Sequence, residues 1–312
     1  MLKLISVGLL SALFFSTTFI LNRYMSLEGG HWVWSATLRY AYMIMFLIIW
    51  ISITKGFKEI VNIFKLFFHN WTFWTITGSI GFGLFYSLCC FSADYSSGWV
   101  IATTWQLTII MSLFVLMFFG RKFPKRVWVF SLIIFSGVIM VNLSEFDTSN
   151  IKHLLLGALP VMLATLCYPV GNQLVWEAQN GNKKLPKLNN PLIQNPFNKV
   201  LLMSLGSVPF WILLLIVTTP SVPSTGQIIN TAIVALFSGV IATSLFLYAR
   251  GKAKDATELA AVDSTQSSEV IFAMLGEMIL LNSSIPNSNA LIGIIIVFAG
   301  LLLFLFAKKN NL

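Results

Sequence analysis

The sequence predicts an all-α integral membrane protein with ten transmembrane helices in two inverted five-helix repeats. Three observations indicate this fold class: ten long apolar runs, cationic residues concentrated in alternate gaps between the runs, and an internal similarity between the two halves. Of the 312 residues, 57% are hydrophobic and only 10% are charged, whereas soluble domains carry about 25% charged residues. The composition therefore excludes an ordinary soluble fold.

Each apolar run is interpreted as one transmembrane span, because a helix needs roughly 20 apolar residues to cross the hydrocarbon core of a bilayer. The fifth run is short, and the ninth is interrupted by polar residues. The predicted spans are Leu4–Leu21, His31–Ser52, Trp71–Phe91, Gly98–Phe119, Val127–Asn142, Leu154–Trp176, Val200–Thr218, Ile228–Tyr248, Leu259–Leu281 and Ala290–Ala307.

The cationic residues give the orientation of these spans. Of the 20 lysines and arginines, 17 lie on one side, Arg23 and Lys152 lie on the other, and Arg39 lies inside a span. The positive-inside rule makes the cation-rich side cytoplasmic. We therefore expect a multi-pass protein of the cell membrane with both termini in the cytoplasm. The net charge of +9 is assigned to these loops rather than to a nucleic-acid site.

The two halves of the chain resemble each other. Gly78-Ser-Ile-Gly-Phe-Gly-Leu-Phe in span three parallels Gly239-Val-Ile-Ala-Thr-Ser-Leu-Phe in span eight, and Phe135-Ser-Gly137 in span five parallels Phe298-Ala-Gly300 in span ten. Since each half has an odd number of spans, the second half enters the membrane upside down. The predicted repeats are residues 1–147 and 148–312, and the second contains a cytoplasmic linker at 177–199.

Enzyme chemistry has little support in the sequence. There is no phosphate-binding glycine loop, no clustered metal-ligand set and no catalytic triad, so no enzyme activity, cofactor or metal is expected. The absence of a Walker motif also excludes ATP hydrolysis by this chain. The three cysteines, Cys89, Cys90 and Cys167, all fall in apolar runs and are interpreted as small core residues.

Span nine is the richest in polar residues. Asp263, Gln266 and Glu269 recur every three residues and form one drifting stripe on a helix. Ionisable residues inside a span are costly and usually face a cavity or a partner. Glu269 could exchange a proton for substrate, or it could be structural, either paired with Arg39 or capped by hydroxyl groups. Glu277, nearer the outer end, is expected to have a structural or gating role.

Arg39 lies inside span two and keeps its charge in any environment. It is either a packing or snorkelling residue or a counter-charge that occupies a carboxylate until protons or substrate displace it. Other spans contribute neutral polar or aromatic groups that could converge on one central cavity or could merely join helices. These further candidates for substrate or proton binding are Thr18, Asn22, Tyr86, Trp105, Gln106, Tyr168, Asn172 and Tyr248.

Two segments carry a resemblance to a known family. Lys252-Ala-Lys-Asp-Ala-Thr-Glu-Leu-Ala-Ala-Val and Glu269-Val-Ile-Phe-Ala-Met-Leu-Gly-Glu277 resemble the penultimate helix of the drug/metabolite transporter superfamily, although Val270 replaces a common proline. The segment from Leu21 to Tyr40 is similar to the putative multidrug resistance efflux transporter family within that superfamily. In the first half, Gly120-Arg121 stands where the superfamily has Gly-Glu. Span one also lacks the essential acid of the small four-helix relatives, so proton coupling would need span nine.

The resemblance implies a secondary active transporter that exports lipophilic or cationic small molecules by alternating access, with protons as the expected coupling ion. Two alternatives remain open: an exporter of a metabolite such as an amino acid on the same fold, and a non-transporting membrane scaffold or lipid-handling protein. The expected partners are a small-molecule substrate, protons and the lipid bilayer, without nucleic acid. Two fused halves make a monomer sufficient, and a homodimer remains open.

Overall fold

The computed structural model describes residues 1–144, 151–254 and 256–309, and these ranges are helical with short connections and contain no strand. The helices are α1 (Leu2–Leu27), α2 (Trp32–Lys55), α3 (Phe57–His69), α4 (Trp71–Gly78), α5 (Phe85–Ser92), α6 (Gly98–Trp105), α7 (Thr108–Phe118), α8 (Lys125–Ser144), α9 (Ile151–Gln179), α10 (Pro196–Thr218), α11 (Thr225–Val234), α12 (Thr243–Lys252), α13 (Ala256–Ser264), α14 (Glu269–Leu280) and α15 (Ser288–Lys309).

Eight helical segments of the described chain are long and apolar enough to cross a membrane. They correspond to the first eight predicted spans, with bounds that differ by a few residues. The segments are Leu2–Leu27, Trp32–Lys55, Trp71–Ser92, Gly98–Phe118, Lys125–Ser144, Leu154–Gln179, Pro196–Thr218 and Thr225–Lys252. Helix α15 is also apolar over Ser288–Leu303.

The predicted ninth span is not one continuous α-helix. The helices α13 and α14 are joined by a 3₁₀ segment, Thr265–Ser268, in the middle of the expected span. The predicted fourth span is also interrupted, since α6 ends at Trp105 and α7 begins at Thr108. Two further spans contain π-helical segments: Ser79–Leu84 joins α4 to α5, and Ala235–Ala242 joins α11 to α12. Irregular helices of this kind release backbone groups from the regular ladder and often mark functional positions.

The helix α3 lies in a gap that the sequence left without structure. Gly56 precedes it with a φ of 86°, a conformation that glycine adopts without the steric cost of a Cβ atom. This turn folds α3 back against α2, and α3 also contacts α10. Ile60 and Ile63 of α3 are buried in the main apolar core.

The segment 177–199, expected to be a linker, is packed rather than free. Leu188 and Ile193 are almost completely buried in the main core. The Asn190 side chain accepts a hydrogen bond from the Leu192 amide and caps a short 3₁₀ turn, and the Asn195 side chain caps α10 in the same way. The predicted boundary between the repeats, at 147/148, lies outside the described residues.

Three apolar cores hold the helices together. The largest is formed mainly by α2, α3, α4, α5, α9 and α10, the second by α1, α6, α8, α9, α14 and α15, and the third by α7, α8 and α15 with the residue before α7. Helix α1 contacts the π-helical segment of residues 235–242 as well as α12 and α14. The middle of the molecule is therefore bounded by α1, α2, α5, α9 and the broken helices.

Candidate functional site

Arg39 of α2 is the buried cation at the centre of the candidate site. Only 8% of the residue is exposed, and its guanidinium carbon lies 3.9 Å from the centroid of the Tyr86 ring and 5.8 Å from that of Tyr40. A cation over an aromatic face is attracted by the ring's negative quadrupole, most strongly when water is excluded. Within the described residues Arg39 forms no ion pair, so the expected pairing with Glu269 is absent from this conformation.

A hydroxyl group from the second half of the chain completes the surroundings of Arg39. The Arg39 Nη2 group donates a hydrogen bond to Ser238 Oγ at 3.1 Å, and Thr18 Oγ1 lies 2.7 Å from the same oxygen. Ser238 lies in the π-helical segment 235–242, and the neighbouring Ala242 carbonyl accepts a hydrogen bond from Ser11. Spans one, two and eight thus meet through polar contacts next to the buried charge.

Asn22 and Tyr86 form a second polar pair beside Arg39. The Asn22 Nδ2 group donates to the Tyr86 hydroxyl at 3.0 Å, and that hydroxyl lies 3.3 Å from Asn22 Oδ1. Tyr86 is fully buried and Asn22 nearly so. The structure therefore brings together Arg39, Thr18, Asn22 and Tyr86, four residues that the sequence proposed separately.

Aromatic rings extend this cluster to spans four and six. Phe85 packs against Tyr86 at 5.9 Å between ring centroids, against Trp105 at 4.8 Å and against Tyr168 at 5.2 Å. Trp105 and Tyr168 contact each other at 5.6 Å. Seven rings that are linked by such contacts are called the central aromatic cluster. They are Tyr40, Phe82, Phe85, Tyr86, Trp105, Tyr168 and Trp211.

Glu269 is the buried acid of the site. It is the first residue of α14, directly after the 3₁₀ segment, and only 7% of it is exposed. No hydrogen bond or ion pair links the Glu269 side chain to any other residue of the described chain. The charges of Glu269 and Arg39 both act on Tyr168, so this ring is within electrostatic range of the acidic and of the basic group. The expected capping of Glu269 by hydroxyl groups is not found.

Asp263 and Gln266, the other members of the predicted stripe, have different surroundings. The Asp263 carboxylate pairs with Arg250 of α12 at 3.2 Å, at a partly exposed position. The Gln266 Nε2 group is buried, and no described residue accepts a hydrogen bond from it. The 3₁₀ segment Thr265–Ser268, which contains Gln266, keeps residues three apart on one face. Of the three residues of the predicted stripe, only Glu269 is both buried and acidic.

Three further predicted residues have local roles or are exposed. Gln106 and Asn172 donate hydrogen bonds to carbonyl groups of their own helices, Ala102 and Tyr168, four residues earlier. Tyr248 is 48% exposed. We therefore leave Tyr248 out of the site proposed below.

Glu277 joins two spans at the end of α14. It is 1% exposed, and its Oε1 atom accepts a hydrogen bond from the backbone amide of Gly98 at 2.6 Å. Gly98 is the first residue of α6, where unpaired amides and the helix dipole favour a negative charge. The expected structural role of Glu277 therefore has a specific form, an acid at the N-terminus of span four.

Sequence reasoning missed Ser238, Tyr40 and Trp211. Tyr40 and Trp211 stack with centroids 5.2 Å apart at an angle of 25°. Serine and aromatic residues within apolar runs are too common to stand out. The position of Ser238 next to the repeated glycine motif at Gly239 was the one available signal. Among the described residues, no group of three or more His, Cys, Asp or Glu side chains could hold a metal ion.

Comparisons with known proteins show the family to which the chain belongs. The family model described as "EmrE: Putative multidrug resistance efflux transporter" matches residues 2–310. A Bacillus subtilis (strain 168) protein named "Uncharacterized protein YjlA" is 35% identical over 99% of this chain and 96% of its own length. A Shouchella clausii protein, named as a 42.1 kDa protein in the intracellular alkaline protease 3′ region, is 34% identical over 86% of this chain and 70% of its own length.

A solved crystal structure has the same fold. It aligns with a TM-score of 0.63 at 14% identity and covers 99% of both chains. At this identity the likeness concerns the fold alone. The family model spans nearly the whole sequence, and apolar helices make up most of the described chain. The chain therefore belongs to the EmrE-type putative multidrug resistance efflux transporter family, within the drug/metabolite transporter superfamily, and is a multi-pass membrane transporter.

Proposed function

We propose that this protein is a secondary active exporter that exchanges protons for lipophilic or cationic small molecules by alternating access. The observation that carries the proposal is Glu269, a buried acid whose side chain has no partner in the described chain and whose charge acts on Tyr168 of the aromatic cluster. A carboxyl group in such a place binds either a proton or a cation, but not both. This competition is the minimal requirement for exchange.

The aromatic rings suit a lipophilic cation at the acidic end of the site. Phe85, Trp105 and Tyr168 contact one another, and the charges of both Glu269 and Arg39 act on Tyr168. Aromatic faces bind organic cations through cation–π attraction and apolar contact. A positively charged substrate near these rings would be attracted by ionised Glu269 and repelled by Arg39, which confines it to one end.

We further propose that ten spans form two inverted repeats, with the boundary at residues 147/148. Contacts between α8 and α15 support a two-fold relationship. A Cβ atom on Gly137 would lie 2.8 Å from Val297, and one on Gly300 would lie 2.7 Å from Ile134. In the repeat alignment Gly137 matches Gly300, and Ile134 matches Val297, so the two contacts are reciprocal. Reciprocity of this kind is expected across a two-fold axis.

Irregular helices occur in matching spans of the two halves, which also supports the repeat. Spans four and nine both break near a glutamine, Gln106 and Gln266 respectively. Spans three and eight both contain a π-helical segment. Broken helices near the bilayer midplane are where transporters of this general design bind substrate. In alternating access by inverted repeats, each half adopts the conformation of the other. Broken helices in both halves fit this requirement.

The part of the central aromatic cluster next to Arg39 is closed in this conformation. Tyr86 is 0% exposed and Tyr40 is 3% exposed. Two contacts keep the helices together here. Glu277 holds α14 to the start of α6, and Tyr40 stacks on Trp211 within the main core. We propose that alternating access opens one of these contacts at a time, so that substrate reaches Glu269 from either compartment.

A second candidate substrate class is a metabolite with a carboxylate group, such as an amino acid. The specific observation is Arg39, whose Nε group is buried and has no hydrogen-bond partner in the described chain. A substrate carboxylate could accept from this group, since guanidinium forms strong paired hydrogen bonds with carboxylates. In that case an amino-acid substrate, which carries both a carboxylate and an ammonium group, would lie between Arg39 and Glu269.

The proposal is tested in proteoliposomes that contain the purified full-length chain and a pH-sensitive dye inside. We expect addition of tetraphenylphosphonium, a lipophilic cation, to move protons in the opposite direction. Glu269→Gln should abolish proton movement and uphill accumulation, because the amide neither ionises nor releases a proton. Glu28→Gln, at an exposed acid, is the matched control and should behave like the wild type.

The outcomes separate the three functions. Proton-linked movement of the cation supports drug export, whereas counterflow of leucine without cation transport supports the metabolite exporter. Absence of flux for both classes favours a scaffold or lipid-handling role. Uphill accumulation of the cation by Glu269→Gln would overturn the proton-exchange mechanism. A normal elution profile of the variant in size-exclusion chromatography establishes that it is folded.

A further inference from the structure

The helix α3 carries three distinct faces. Ile60 and Ile63 point into the main core. On a second face, the apolar side chains of Phe57 and Phe68 are 70% and 66% exposed. They recur at helical spacing together with Val61 and Phe64, so they form one stripe along the helix. A helix of this kind lies along the surface of a bilayer with its apolar stripe in the acyl region.

The exposed apolar stripe borders a groove between α3 and α2. The groove has a volume of about 700 Å³. It is lined almost wholly by apolar atoms, with one lysine at its edge. Its main lining residues are Ile48, Phe57, Val61, Phe64, Lys65 and Phe68. Because Ile48 lies two turns inside α2, the groove runs from the end of the helix toward the membrane interior.

A cationic stripe lies directly beside the groove. Lys58, Lys65 and His69 follow one another at intervals of seven and four residues, which places them on one side of the helix. All three side chains are exposed, and neither lysine forms an ion pair among the described residues. The acid of the same helix, Glu59, is engaged elsewhere, since its Oε1 atom accepts a hydrogen bond from Asn198 at 2.9 Å.

We infer that this groove is a binding site for an anionic phospholipid, with one acyl chain along the apolar stripe and the phosphate on Lys58 and Lys65. The apolar groove and the adjacent uncompensated cations match the two parts of such a lipid. The membrane location of the chain supplies this ligand at high local concentration. Each lysine close to an anionic headgroup strengthens binding by about fivefold. The site is separate from the transport site and does not depend on its substrate or coupling ion.

The test is native mass spectrometry of the purified full-length chain in detergent, with no transport substrate present. Phosphatidylglycerol and phosphatidylcholine with identical acyl chains are added in turn. We expect one phosphatidylglycerol to remain bound at lower concentration than phosphatidylcholine. Lys58→Gln combined with Lys65→Gln should weaken phosphatidylglycerol binding about thirtyfold and leave phosphatidylcholine binding nearly unchanged.

A matched control carries Lys183→Gln and Lys184→Gln, which remove two exposed lysines elsewhere, and it should keep the preference for phosphatidylglycerol. Val61→Trp, which fills the groove, should weaken binding of both lipids. Equal binding of the two lipids by the wild type would overturn the inference, as would an unchanged preference in the Lys58 and Lys65 variant. A dimer that excludes lipid and is disrupted by Val61→Trp would also contradict it, because the occupant would then be a second copy of the chain.

Discussion

Two opposite charges are buried in the membrane-spanning part of this protein without contacting each other. Arg39 is stabilised by the Tyr86 ring and by Ser238, and Glu269 has no polar partner in the described chain. The sequence identified both residues because ionisable groups stand out in apolar runs. Their separation depends on which helices are neighbours, and that information is absent from local sequence patterns.

Ser238 should be important for stability although it is neutral. Its hydroxyl group meets both Thr18 and Arg39, so Ser238→Ala leaves two buried donors without an acceptor. Such a loss costs about 1–3 kcal/mol. We therefore expect a lower midpoint of thermal unfolding in detergent. Ser244→Ala is the control, because that hydroxyl group contacts only a carbonyl of its own helix. Equal midpoints for the two variants would show that Ser238 does not hold the spans together.

At the scale of elements, the break in span nine has a local cause. The hydroxyl groups of Ser264, Thr265 and Ser267 each donate to the carbonyl three residues earlier. Hydroxyl groups that bond to nearby carbonyls compete with the regular helix ladder. The sequence indicated that polar residues interrupt this span, and in the structure the interruption is a 3₁₀ segment.

The helix α3 was missed for a different reason. It has 13 residues, too few to cross a bilayer, and its lysines made the gap resemble a solvated loop. A search for helical spacing in the gap would have found it, since apolar and cationic residues lie on separate sides. Short amphipathic helices between spans are therefore easily overlooked when only long apolar runs are considered.

The contact between α8 and α15 gives a test of packing at the scale of a helix pair. Gly137→Ala would place a Cβ atom 2.7 Å from the Gly293 carbonyl oxygen, and Gly300→Ala would place one 2.7 Å from Ile134. Overpacking of this kind costs about 1–3 kcal/mol. Both variants should therefore unfold at a lower temperature, and to a similar extent.

The control for this pair is Gly251→Ala, because nothing lies within 4 Å of the added Cβ atom. It should be neutral or stabilising, since alanine favours helix over glycine by about 1 kcal/mol. Destabilisation by Gly251→Ala equal to that of Gly137→Ala would mean that the helix contact is not the cause. A large effect at only one of Gly137 and Gly300 would argue against a reciprocal contact.

At the scale of the whole molecule, the sequence predicted the all-helical membrane class, the first eight spans and the family. These predictions are confirmed. They depend on composition, on the length of apolar runs and on sequence motifs, all of which can be read directly from the sequence. The segment 177–199 stays predicted as a linker between two spans, because its prolines and lysines are typical of a solvated segment. Two of its apolar residues, Leu188 and Ile193, are buried in the core.

The ten-span inverted architecture is the central claim, because alternating access depends on two halves with opposite orientation. Five spans per half place the start of the first half and the start of the second on opposite sides of the membrane. Four spans separate Lys65 from Lys183, so these two residues should lie on the same side. All four lysines that report these positions are exposed: Lys3, Lys65, Lys152 and Lys183.

The most direct measurement is labelling of single cysteines at these four positions in intact cells with a membrane-impermeant maleimide. The native cysteines Cys89, Cys90 and Cys167 are buried and are replaced by alanine. We predict that Lys152→Cys is labelled in intact cells, and that Lys3→Cys, Lys65→Cys and Lys183→Cys are labelled only after permeabilisation. Labelling of Lys65→Cys and Lys183→Cys from different sides, or of Lys3→Cys and Lys152→Cys from the same side, would contradict the two inverted halves.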